Sequence, residues 1–331
     1  MRSGNKYRGV FIFTICILTG IFCIVYHETH LADSFETIVL ETAHLPVLLP
    51  HEHDAGEAVE DLGHHHYLYS KVFVAPKDLW ISDASFDLIN APDTADHHTA
   101  LLNLDGIHQT CKKLPYEQLF GFPQDMLHEP KISFPEGTGM KIKKGEHIVF
   151  MLMLHNPLPP IGPGETYHDV YGKLTLTFRP DSESGNLKNV KFHLIHLDQI
   201  PCEVTYSDKS LAFMFTVPSH SKDFTYSSPN SKDDPSRFTF ATSSVIVYTG
   251  GHLHGWEGGK ALHVYKNGED FLDFTTYPSP NYPFRYDSQY RPTFIKIAAG
   301  DTLSLSAVYD NPNDVAIRGA MGMLEMYYYE E

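Results

Sequence analysis

The run Gly250-Gly251-His252-Leu253-His254-Gly255 places two histidines two residues apart. On a strand, alternate side chains share a face, so both imidazoles can reach one metal ion. The flanking glycines let other groups approach closely. A second set opens an apolar run at Asp96-His97-His98-Thr99-Ala100-Leu101-Leu102 and continues at His155, which closes the run from His147 to His155. Adjacent residues of a regular strand face opposite ways, so His97 and His98 share an ion only at a strand start or a bulge at Asp96. The third element is the C-terminal stretch Arg318 to Met326, where Met321 and Met323 share a face and Met326 points away. Methionine is ordinary core filler. Beside two imidazoles, however, a thioether makes a soft, open site suited to redox copper rather than to closed zinc. Each signal has a plainer reading: an exposed edge strand for His252 and His254, a strand-end histidine for His155, a turn residue for His97.

These residues need a scaffold, and the composition describes one. The chain has 331 residues, 42% hydrophobic and 13% aromatic, which is enough for a sizeable core. The formal net charge is −16, from 25 basic and 41 acidic residues. That balance excludes a protein that binds nucleic acid by neutralising phosphates. A charged-residue content of only 20%, with abundant Pro, Gly, Tyr and Phe, favours strands and turns. From Tyr67 onward short alternating or apolar runs follow one another, among them Val190–Leu197, Ser244–Tyr248, Thr302–Tyr309 and Met321–Tyr329. The fold class read from them is all-β, with two tandem antiparallel β-sandwiches of jelly-roll-like type. Lys266-Asn267-Gly268-Glu269 is a hairpin turn, because Asn-Gly accepts positive φ at both central positions.

The N-terminal region reads differently. Arg2, Lys6 and Arg8 precede an uninterrupted apolar stretch from Gly9 to Tyr26, and no small-residue cleavage site follows. The expectation is a transmembrane signal anchor over 9–26 with residues 1–8 cytosolic. The bulk would then be lumenal or extracellular on a single-pass membrane protein. Residues 27–66, acidic and His-rich, read as a stem, and His64-His65-His66 as a solvated patch. The polar stretch from Arg179 to Asn186 places the boundary between the sandwiches, 67–183 and 184–331. Cys111 and Cys202 are the cysteines outside the apolar segment, and they either pair or remain buried thiols.

The order of the motifs resembles the copper type II, ascorbate-dependent monooxygenases, the superfamily of peptidylglycine α-hydroxylating monooxygenase and dopamine β-hydroxylase. A His-His pair opening an apolar strand (His97-His98), a third His ending a later one (His155), a His-x-His (His252, His254) and a late Met (Met321) carry it. Phe134-Pro135-Glu136-Gly137-Thr138-Gly139, Val264-Tyr265-Lys266-Asn267-Gly268 and Ala320-Met321-Gly322-Met323-Leu324 resemble the stress-up-regulated nodulin-like proteins of plants and fungi.

The resemblance implies that His97, His98 and His155 hold an electron-transfer copper. It implies that His252, His254 and Met321 hold a catalytic, oxygen-activating copper across a cleft, with Met323 in reserve. The two copper ions would be reduced by ascorbate, and dioxygen would hydroxylate a small-molecule substrate. Gly250 and Glu325 stand where the peptide-amidating enzymes carry an Arg and a Tyr, so peptidylglycine is not the expected substrate. Two other functions fit the same residues: a non-catalytic copper-binding surface or stress protein, and a β-sandwich recognition module with incidental histidines.

Overall fold

The computed structural model describes residues 37–51, 66–92, 95–107, 116–123, 131–156, 164–197, 215–227, 236–254, 258–276 and 290–331. Gly9–Tyr26, Cys111, Cys202, His64 and His65 lie outside the described residues, and so do the calls made on them. Among the described residues no helix is long and apolar enough to cross a membrane. They are built from β-strands with a single 3-10 helix, Asp181–Asn186.

The first part of the chain forms β1 (Thr37–Glu41), β2 (Leu45–Leu48), β3 (His66–Tyr69), β4 (Phe73–Val74), β5 (Leu79–Ile89), β6 (Asp96–Asn103), β7 (Glu117–Pro123), β8 (Lys131–Ser133), β9 (Thr138–Ile142), β10 (His147–Leu154), β11 (Tyr167–Phe178) and β12 (Lys188–Asn189). One sheet has the order β1-β11-β5-β9-β12, with β2 on β11 and β8 on β5. A second runs β3-β10-β6-β7, with β4 on β10. The two face each other: the rings of Phe86 on β5 and Phe150 on β10 lie 5.8 Å apart. Gly172 on β11 makes that approach close, since a Cβ there would sit 2.9 Å from Leu152 and 3.1 Å from both rings.

The stem expected over 27–66 is corrected here, because 37–48 is part of the fold. β1 pairs with β11 from Thr37↔Thr177 to Glu41↔Lys173, and Ile38 and Leu40 are buried while their neighbours are exposed. That is the alternation of a half-buried strand, which burial of two large aliphatic side chains stabilises by about 1.5–3 kcal/mol each.

The second part forms β13 (Lys191–His196), β14 (Phe215–Val217), β15 (Ser221–Ser227), β16 (Arg237–Thr239), β17 (Ser244–Leu253), β18 (Gly259–Lys266), β19 (Glu269–Thr275), β20 (Tyr290–Ile297), β21 (Thr302–Asn311), β22 (Ile317–Ala320) and β23 (Gly322–Glu330). One sheet runs β13-β23-β17-β20 and another β15-β21-β18-β19, with β16 on β21 and a two-stranded β14-β22 beside them. Ile195, Leu253, Leu324 and Met326 from the first and Leu262, Val264, Leu305 and Ala307 from the second share one core. Met326 thus points away from the site face, as its parity requires. The turn at Asn267 and Gly268 has φ of 56° and 85°, the left-handed pair that Asn-Gly supplies.

The passage between the halves comes later than the polar stretch suggests. Asp181–Asn186 is the 3-10 turn, and β12 still pairs with β9 of the first half before β13 joins β23 of the second.

Candidate metal centre

β10 and β6 pair regularly from Ile148↔Asn103 to Met153↔His98, and then Leu154 pairs with Asp96. His97 is the extra residue of a β-bulge. The bulge turns His97 toward the side of its neighbour, and the two rings meet edge to face at 4.3 Å. Beyond the end of β10, the N–H of His155 donates to the carbonyl of Ala95 at 2.9 Å. Its ring lies 4.9 Å from that of His97.

The second half supplies the other side. β17 is buried along its whole length and ends at His252-Leu253, with His254 next in the chain. His252 and His254 lie 5.3 Å apart, ring to ring. His252 is 5.0 Å from His98, and His254 is 5.4 Å from His97. One nitrogen each from His97, His98 and His254 all lie within 4.8 Å of one another. The five imidazoles expected from the sequence therefore stand in one cluster at the junction of the halves, drawn from both.

Met321 lies half-buried between β22 and β23, and its carbonyl accepts a hydrogen bond from Tyr309. The same Tyr309 hydroxyl accepts from the N–H of His254 at 3.2 Å. Met323 is the methionine level with the cluster: it is buried and register-paired with His252. Further along that face of β23 come Glu325 and Tyr327, both buried. Tyr327 accepts from the N–H of Gly121 on β7 at 3.3 Å, which joins the two halves. Burial and the neighbouring Glu325 charge push the Tyr327 phenol well above its ordinary value of 10.0. The Glu325 carboxylate lies directly over Gly121, where a Cβ would fall 2.3 Å from its Oε1 and displace it.

The sequence reading missed His51, whose ring lies 6.3 Å from that of His155, and His196 on β13. His196 was legible in principle: it comes at the end of the run Val190–Leu197 much as His155 ends the run from His147. His51 carried no signal, since it is followed by an acidic stretch without periodicity.

No family model matches the chain, and no curated protein matches it. Solved structures similar to it include peptide N-glycanase F, at 9% identity over 89% of this chain and 100% of that one, with a TM-score of 0.41. PNGF-II is similar at 12% identity over 89% of this chain and 65% of that one, with a TM-score of 0.38. The PBCV-1 capsid protein VP54 is similar at 7% identity over 92% and 97%, with a TM-score of 0.36. The expected membership of the copper monooxygenases is corrected accordingly: no family model and no curated protein of that superfamily matches the chain. The two ligand sets read as separate coppers across a cleft are interleaved, with His97 against His254 and His98 against His252.

Proposed function

We propose that the chain is a β-sandwich module, built as two tandem jelly-roll-like halves, that binds one late first-row transition-metal ion between them through His97, His98 and His254. The observation that carries this is the 4.8 Å grouping of three imidazole nitrogens from two different halves. The donors fit such an ion. Imidazole binds zinc-like ions at about 2.0–2.1 Å, so tetrahedral donors stand roughly 3.3 Å apart, and small ring rotations close the remaining gap. Three neutral nitrogen donors suit late first-row ions and not magnesium or calcium, which take oxygen.

The ion would supply a cross-link. His97 and His98 are fixed by the β6 bulge, and His254 by the end of β17 and the Tyr309 hydroxyl, so one ion on all three ties the halves together. A ligand that binds the folded state alone stabilises it, by about 2.7 kcal/mol at a hundredfold excess over Kd. Cobalt(II) added to the chelator-treated full chain tests the reading. A tetrahedral cobalt spectrum saturating at one ion per chain, with a raised melting temperature, is the expected result. A spectrum and a melting temperature that do not change would sink it.

A further inference from the structure

One face of the sheet β13-β23-β17-β20 carries a row that the triad does not use. His196 on β13 is register-paired with Met323 on β23, and Met323 is register-paired with His252 on β17. Directly opposed residues in antiparallel strands project from the same face, with Cβ atoms about 4.5–5.5 Å apart. The three side chains therefore stand side by side across three strands in the order imidazole, thioether, imidazole. All are buried, His196 at 7%, Met323 at 5% and His252 at 0% exposure. The core of the second half is on the other face, where Ile195, Leu324 and Leu253, each one residue along, belong to it. The row instead faces the first half, as the 5.0 Å approach of His252 to His98 shows.

We propose that His196, Met323 and His252 form a second site, for a soft monovalent cation of the Ag(I) and Cu(I) class. A thioether is a poor donor to hard or borderline dications and a good one to soft d10 ions, so the sulfur at the centre of the row selects the class. Strands are spaced about 4.8 Å apart, so the outer histidines stand roughly 10 Å apart at Cα. On one bound ion the two imidazoles would lean inward over the central sulfur, in the low coordination that soft monovalent ions accept. The site shares no residue with the triad, and it stands or falls independently of it. Sequence reading set His252 beside His254 in one ligand set; this proposal groups it with His196 and Met323 instead.

Silver(I) titration of the full chain, with cysteine thiols alkylated beforehand, tests the site by calorimetry and by sulfur and nitrogen scattering at the silver absorption edge. Met323→Leu conserves volume and removes the sulfur, and His196→Gln keeps a polar side chain at the flank. Each is expected to remove one silver equivalent per chain, or to weaken it at least tenfold, and Met323→Leu to remove the sulfur scattering. His97→Ala, which disables the triad, and Met326→Leu, on the opposite face, should keep that silver. Circular dichroism establishes that each variant is folded, and the two independent variants guard against loss of either. Silver binding unchanged in both Met323→Leu and His196→Gln would overturn the proposal, as would its loss in His97→Ala.

Discussion

The hydroxyl of Tyr309 accepts a hydrogen bond from the backbone N–H of His254 at 3.2 Å and donates to the carbonyl of Met321. One buried side chain on β21 thus fixes the end of β17, where His254 follows the strand, against the residue that separates β22 from β23. Tyr309→Phe keeps the ring in the core and leaves the buried His254 N–H and the half-buried Met321 C=O without that partner, a cost of about 1–3 kcal/mol. The expected result is a lower melting temperature together with metal affinity weakened roughly tenfold, since each tenfold is about 1.4 kcal/mol. Chemical denaturation and cobalt titration of the variant read the two effects separately. Unchanged affinity with reduced stability would show that Tyr309 supports the fold without positioning His254.

His155 distinguishes the proposed triad from the ligand set that the motifs suggest. Its ring contacts that of His97 at 4.9 Å, but the close group of nitrogens is His97, His98 and His254. His155→Ala should therefore weaken the ion by loosening His97 while leaving one ion per chain at saturation. His254→Ala should abolish binding. Metal analysis of the two variants after dialysis distinguishes these outcomes, and loss of the ion in His155→Ala alone would place His155 among the ligands.

Much of this arrangement could be read from residue types, and the remainder could not for identifiable reasons. The pair His97-His98 called for a strand start or a bulge at Asp96 if both were to share an ion, and the register slips between Asp96 and His98. The parity of Met323 and Met326 gave their opposite faces correctly. Sequence order could not show that histidines at the end of β17 meet those at the start of β6, which merges the two histidine sets into one cluster. Nor could it show that 37–48 belongs to the first sheet: β1 and β2 are short, and their partner β11 lies more than a hundred residues further on.

The alkaline limit of stability is set in part by β23. Burial, with the nearby Glu330 charge, pushes the Tyr328 phenol up to about 12, and the Tyr327 phenol is raised by burial and by Glu325. Both folded-state values lie above the ordinary 10.0, so the native chain holds protons that the unfolded chain releases. The stability these groups contribute is complete below pH 10 and declines as the pH rises toward the folded values. Tyrosinate absorbance should show two late-titrating tyrosines whose ionisation coincides with loss of near-ultraviolet dichroism. Titration of every tyrosine near its ordinary value with the fold intact would contradict this.

The central claim, that histidines from both halves hold a single ion, is tested most directly by a double-mutant cycle on bound cobalt. His97 comes from β6 and His254 from the end of β17, and their rings lie 5.4 Å apart. The account predicts one cobalt per chain in the parent, none retained by His97→Ala or by His254→Ala, and no further loss in the double variant. Two cobalt ions in the parent, with one lost in each single variant and both in the double, would show two separate centres and contradict it.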